Sequence, residues 1–272
     1  MRGSFFGNDT TVVTALFHID GDMEKNLALI RLSTANGAQG IALQLEDMPP
    51  EMRTADNYRR LMDAAPELPF MFISYRKDRW FGNDDDERQK CLLLAAETGA
   101  EVIDVMGDLF SSAPFELTFD QAAIAKQKEL IQAIHDRGAK AVMSSHTTQA
   151  RTAEEILAHL REQATRGADI LKIVTRADTE EELTEAFRTT MLLRRALDKP
   201  FIQLCGGKFS RPHRYLGPKF GMAVAFATPE EKPGAVQPSV RNLRTVLDTI
   251  DWKPPFGAND QSFLSQCGQL CK

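Results

Sequence analysis

Ala141-Val142-Met143-Ser144-Ser145-His146 and Asp169-Ile170-Leu171-Lys172-Ile173-Val174 are two short apolar runs, and residues 153–166 between them read as a helix stopped by Gly167. A strand, a helix and a second strand make one βα repeat, and the same alternation runs along the whole chain. Strands are predicted over residues 11–17, 40–45, 70–74, 101–106, 141–145, 169–174, 201–205 and 222–227. Helices are predicted over 23–35, 55–65, 85–98, 119–137, 153–166, 179–197 and 239–249, with residues 205–218 read as a loop. Gly37, Gly99, Gly138 and Gly167 follow predicted helices, where a left-handed stop is expected. Eight such units in 272 residues indicate a (β/α)8 TIM barrel, an α/β fold in a single domain over residues 1–251, with 252–272 as a C-terminal tail. The competing fold is an open doubly wound sheet. No Gly-x-Gly-x-x-Gly follows the first strand, which weighs against it.

Composition narrows the class. Hydrophobic residues make up 43% of the chain and charged residues 26%, a profile of globular proteins. No apolar run approaches the roughly 20 residues that span a bilayer, and the first residues lack a secretory pattern, so a cytoplasmic location without membrane association is expected. A net charge of −5 with no basic stripe offers nothing to nucleic acid. Cys91 and Cys205 lie in apolar segments and read as small core residues. Cys267 and Cys271 lack the His or second Cys pair of a zinc site and read as reduced tail thiols. No metal or cofactor is expected.

In a barrel of this kind the chemistry sits where strands end and the following loops begin. That rim holds Gln44 and Glu46 after strand two, Arg76 after three, Asp104 on four, His146 after five and Lys172 on six. Alternation turns Ile170, Lys172 and Val174 one way and Leu171 and Ile173 the other; on strand two it groups Ala42, Gln44 and Glu46. Polar side chains aimed into a barrel are unexpected unless they meet a ligand or each other. A lysine buried among Ile, Leu and Val has its ammonium form disfavoured, and the free amine attacks ketones to form an imine. The plain alternative is a lysine paired with a carboxylate. Arg76 could likewise pair with Asp78 or Asp84 at the surface. His18, His135, His159 and His213 read as structural or exposed, and Asp84-Asp85-Asp86-Glu87 as a solvated helix start. Trp80 and Phe81 either cap the pocket or pack on a neighbour.

These segments resemble the type I 3-dehydroquinate dehydratases, a family of imine-forming barrels. Gly-Ala-Asp-Ile-Leu-Lys-Ile-Val, residues 167–174, is similar to the family's segment around its lysine, and residues 141–147 to the strand ending in its histidine. Phe72-Ile73-Ser74-Tyr75-Arg76 resembles the strand-three motif ending in a substrate-binding arginine. Residues 206–211 and 214–221 resemble the strand-seven loop with its carboxylate-binding arginine, leaving Arg211 and Arg214 as candidates, Arg214 favoured. Pro233-Gly234 and Gln237 resemble the lid after strand eight. The resemblance implies Lys172 and His146 as catalytic residues, Arg76, Arg214, Gln44, Glu46 and Gln237 as substrate-binding, and Asp104 as an orienting or charge-balancing group. It further implies a small keto acid as substrate and allows a homodimer.

The departures lie in the substrate cradle. The family's strand-two Glu-x-Arg-x-Asp pattern reads Ala42-Leu43-Gln44-Leu45-Glu46 here, without the first carboxylate and the arginine. No glutamate occurs in residues 77–82, where one is expected near the histidine; Met106 stands where an acid is expected, and Glu231 at the lid serine. The leading expectation is dehydration of 3-dehydroquinate, or of a related cyclic β-hydroxy ketone acid, to the enone. A carbon–carbon lyase of aldolase type, with Gly206-Gly207-Lys208 holding a phosphate, and an inactive ligand-binding paralogue are the alternatives.

Overall fold

The computed structural model describes residues 2–7 and 11–252. Eight parallel strands form one sheet: β1 (Val12–His18), β2 (Gly40–Gln44), β3 (Phe70–Ile73), β4 (Val102–Met106), β5 (Lys140–His146), β6 (Ile170–Arg176), β7 (Phe201–Gly206) and β8 (Val224–Ala227). Their order is β7-β6-β5-β4-β3-β2-β1-β8, so each strand lies beside its sequence neighbour and β1 pairs with both β2 and β8. An open doubly wound sheet reverses direction at a switch point, and this one does not. The two ends meet at one backbone bond, from the Ala223 amide to the Phe201 carbonyl, 2.9 Å. The barrel is thereby nearly closed, with a seam between β7 and β8.

Helices α1 (Met23–Ala35), α2 (Ala55–Asp63), α3 (Asp85–Glu97), α4 (Gln121–His135), α5 (Ala153–Thr165), α6 (Glu180–Ala196), α7 (Arg211–Leu216) and α8 (Val240–Thr249) alternate with the strands. Short polar side chains set their starts. Asp22, Thr54, Asp84 and Asp120 each accept a backbone amide of the first turn, and Thr152 with Glu155 and Thr179 with Glu182 form reciprocal capping boxes. The four glycines read as helix stops all have positive φ, between 80° and 105°. The predicted helix 119–137 is shorter at both ends: Asp120 caps it, which leaves Phe119 outside and exposed. The predicted loop 205–218 contains α7 and the start of a 3-10 turn, Gly217–Phe220. No described helix is long and apolar enough to cross a membrane. Cys267 and Cys271, with most of the predicted tail, lie outside the described residues.

Candidate active site

A cavity of about 620 Å³ opens among the C-terminal strand ends. Lys172, His146, Arg76, Arg214, Gln44, Glu46 and Gln237 all line it, and Asp104 lies buried beside Lys172. The alternation read on β6 holds: Lys172 and Val174 face the cavity while Leu171 and Ile173 are buried in the opposite layer.

Lys172 is 3% exposed. Its Nζ lies 2.5 Å from the Tyr75 hydroxyl and 3.1 Å from Asp104 Oδ2. Tyr75 donates to the same carboxylate at 3.0 Å, and Ser144 donates to its other oxygen. Burial, then the Asp104 charge, raises the Tyr75 phenol well above its usual value, so it stays protonated. Asp104, read as an orienting or charge-balancing group, is the carboxylate partner that the plain alternative for Lys172 called for. The amine lines the cavity and is ion-paired at once, because a buried ammonium without a partner is costly.

Ser144 and Lys172 are register partners on β5 and β6, and His146 sits one step further out, opposite Val174. The His146 ring meets the Tyr75 ring edge-on, centroids 4.8 Å apart. Its Nδ1 and its backbone amide both lie 2.8 Å from Glu116 Oε2. A carboxylate can only accept, so the Nδ1 proton is directed at Glu116. Burial pushes the Glu116 carboxyl up, but the bonds and charge of His146 outweigh it and hold the group below its ordinary value.

The β4–α4 loop is built to deliver Glu116. Phe115 and Glu116 take the left-handed backbone, φ 60° and 50°, which residues with side chains seldom adopt. Ser145 holds the Glu116 carbonyl at 2.7 Å and is itself held by His159 Nε2 at 2.8 Å. Burial lowers the His159 pKa to about 4, which keeps it neutral. Buried Arg166 donates to the carbonyls of Gly107 and Thr118 and so ties both ends of the loop. A Cβ at Gly107 would stand 2.5 Å from the Glu116 carbonyl oxygen, so only glycine allows this approach.

Glu46 is 2% exposed rather than solvent-facing. Its Oε1 accepts the Tyr75 amide at 2.9 Å, whereas Oε2 is buried without a hydrogen bond. Burial, helped by the nearby Asp78 and Asp104 charges, raises this carboxyl to about 7 from an ordinary 4.5. A carboxyl raised on folding makes the native state the stronger proton binder, so its contribution is full below pH 4.5 and is lost as pH rises through 7. The loss is on the order of 3 kcal/mol. Thermal melts from pH 5 to 8 should show stability declining in the native chain relative to Glu46→Gln; parallel curves would refute this.

Arg76 pairs with neither Asp78 nor Asp84. It reaches Asp108 at 2.7 Å and Asp85 at 3.4 Å, since Asp85 turns inward from the helix start that was read as solvated. Arg214 donates through Nε to the Cys205 carbonyl at 2.7 Å, and no described carboxylate lies within ion-pair distance. Burial pulls its pKa down to about 10. Arg211 is exposed and faces Glu231 at 3.4 Å. Trp80 and Phe81 lie over the Arg53 guanidinium, 5.7 and 4.8 Å from its carbon, and do not line the cavity. His18, read as structural or exposed, lines it beside Glu46. The Lys208 amide is taken by Asp178 at 2.8 Å, so the Gly206-Gly207-Lys208 turn meets a carboxylate where a phosphate would sit.

Residues 21–254 match the family described as type I 3-dehydroquinase. The chain belongs to the type I 3-dehydroquinase family. A 3-dehydroquinate dehydratase of Alkaliphilus oremlandii is 31% identical over 166 residues, 60% of this chain and 63% of that one, which is just under two thirds of its length. One of Escherichia coli is 31% identical over 196 residues, 70% of this chain and 72% of that one. The 3-dehydroquinate dehydratase structure of Geobacillus kaustophilus superposes with a TM-score of 0.75 at 20% identity, covering 89% of this chain and 92% of that one. The type I enzyme of Clostridium difficile, with covalently modified comenic acid, also gives 0.75, at 18% identity and 89% and 93% coverage. At these identities the structural likeness is one of fold.

The two residues of this dehydroquinase-family cavity that hold Lys172 and His146 from outside their own strands, Tyr75 and Glu116, escaped the sequence reading. Tyr75 was part of a quoted motif but had no role, and Glu116 had no signal at all. Residues 77–82 supply no glutamate, and Glu116 reaches His146 from the β4–α4 loop.

Proposed function

We propose that this chain is a lyase that dehydrates 3-dehydroquinate, or a closely related cyclic β-hydroxy ketone acid, through an imine on Lys172. The observation that carries the reading is a buried amine in a cavity, bonded to Tyr75 and Asp104, with a carboxylate-anchored histidine packed on the same tyrosine. Asp104, the nearest carboxylate, accepts a proton as Lys172 Nζ attacks the ketone carbon. Asp104 returns that proton to the carbinolamine hydroxyl, whose loss as water gives a protonated imine that withdraws electrons from the adjacent C–H. His146 Nε2 removes that proton, and the resulting imidazolium returns one to the β-hydroxyl as it leaves as water. Hydrolysis of the conjugated imine releases the enone and restores the amine.

Arg214, a half-buried guanidinium without a carboxylate partner among the described residues, is suited to the substrate carboxylate. Gln44, Glu46 and Gln237 face the hydroxyl-bearing part of the ring. Arg76, bound to Asp108 and Asp85, lends the wall rigidity and presents what remains of its donors to the ligand. A cytoplasmic location and a homodimer accompany this reading, checked by fractionation and sedimentation.

Incubation with 3-dehydroquinate should generate the absorbance of a conjugated enone. An imine adduct without that chromophore would remove dehydration of this substrate. Glu116→Gln keeps a side chain of the same shape but removes the charge, so kcat should fall roughly 10- to 100-fold with little change in KM. Gly107→Ala, which displaces the Glu116 carbonyl, should produce the same split in steady-state kinetics. Unchanged kcat in both variants would make the carboxylate a bystander.

A further inference from the structure

In the imine reading Asp104 takes up a proton as Lys172 attacks and gives it back as the carbinolamine collapses. Yet its carboxylate is 2% exposed and forms no part of the cavity wall. Its hydrogen bonds run to Ser144, Tyr75 and Lys172. Ser144 is buried behind the wall, whereas Tyr75 and Lys172 line it. Once Nζ has joined the ketone carbon the amine is no longer a free carrier. Among the described residues, the Tyr75 hydroxyl is then the contact left between Asp104 and the cavity. That hydroxyl already touches the reacting nitrogen, at 2.5 Å. The carbinolamine oxygen forms on the carbon bonded to this nitrogen, which brings it within reach of the same group. The phenol is also held in place, its ring edge-on to His146 and its backbone amide bonded to Glu46 Oε1 at 2.9 Å.

We propose that Tyr75 is a further catalytic residue, the relay that carries the proton from Asp104 to the carbinolamine hydroxyl. This rests on the imine reading above. As the C–O bond breaks, the phenol gives its proton to the departing oxygen, which leaves as water. In the same event the phenol oxygen receives the proton held by Asp104. The nitrogen lone pair forms the C=N bond, Asp104 is again a carboxylate, and Tyr75 ends as it began. Hydrolysis of the product imine runs the same path backwards. A hydroxyl suits this task because it donates and accepts at once. Burial and the Asp104 charge keep the phenol protonated, so it is no base and yields its proton only while gaining another. His146, whose Nδ1 faces Glu116, is left for the C–H proton and the β-hydroxyl.

Tyr75→Phe removes the hydroxyl and keeps the ring against His146, and a melting curve verifies its fold. The full chain is mixed with 3-dehydroquinate and quenched with borohydride at intervals, and the mass added to Lys172 is read. Labelling of Tyr75→Phe should be at least ~100-fold slower than that of the native chain, on the scale of general acid–base catalysis. Adduct that does form there should already have lost its β-hydroxyl, because elimination is untouched while imine hydrolysis is slowed. The kinetic isotope effect from deuterium at the C–H that His146 attacks should shrink toward unity in this variant. A further arm needs no variant. In mixtures of light and heavy water the native labelling rate should curve with deuterium fraction, since both protons of the relay move together. Native-rate labelling of Tyr75→Phe, accumulation there of an adduct that keeps its hydroxyl, or a linear dependence on deuterium fraction overturns the relay and leaves the imine intact. No adduct on the native chain with this or any other cyclic keto acid overturns the imine reading, and this inference with it.

Discussion

Lys172→Met should abolish turnover, with kcat/KM down by ~10^5-fold or more, because the buried amine held between Tyr75 and Asp104 that forms the covalent bond is gone. The same variant should give no borohydride adduct with any keto acid. Folding and chemistry can be separated here. Methionine leaves Asp104 buried without its cation, and breaking a buried ion pair from one side costs about 3–5 kcal/mol. The remaining bonds from Tyr75 and Ser144 soften that loss. Adding Asp104→Asn should recover much of the stability and none of the activity. Residual turnover in Lys172→Met that resists repurification would end the imine reading.

His146→Ala should behave differently. Loss of the group that removes and returns the proton is expected to lower kcat by roughly 10^2- to 10^4-fold. Yet the imine should still form, since Lys172 keeps Tyr75 and Asp104. Trapping would then label Lys172 fully while the enone accumulates slowly. Loss of the adduct together with turnover would instead place the imidazole in imine formation. The uncompensated Glu116 carboxylate makes this variant less stable, and Glu116→Gln in the same chain should relieve that defect.

The barrel was legible because its parallel strands are covered on both faces and so read as apolar runs between helix-stopping glycines. Lys172 and Glu46 were visible for the same reason, as charges breaking an apolar register. Their partners were not. Whether a lysine in such a run is unpaired or bound to Asp104 depends on the stagger of β4 against β6, which periodicity does not encode. Arg76 was placed on the rim, but its counter-ions come from Asp85, the first residue of α3, and from Asp108 in the loop after β4. Glu116 was invisible because it sits in a non-repetitive loop, thirty positions from the ring it holds, in a backbone conformation that its residue type disfavours. The helix α7 was missed because it is six residues long and begins with Arg211-Pro212 in a stretch rich in turn-forming residues.

The single backbone bond between β7 and β8 gives the cylinder a slit. Strain on a ring with one weak join concentrates there, as in a split collar. Arg214 stands on one lip, after β7, and Gln237 on the other, after β8. Lys172, Asp104 and His146 belong to β4, β5 and β6, which are laced together by continuous ladders. Widening of the slit would therefore alter the grip on a ligand while the reacting groups keep their spacing.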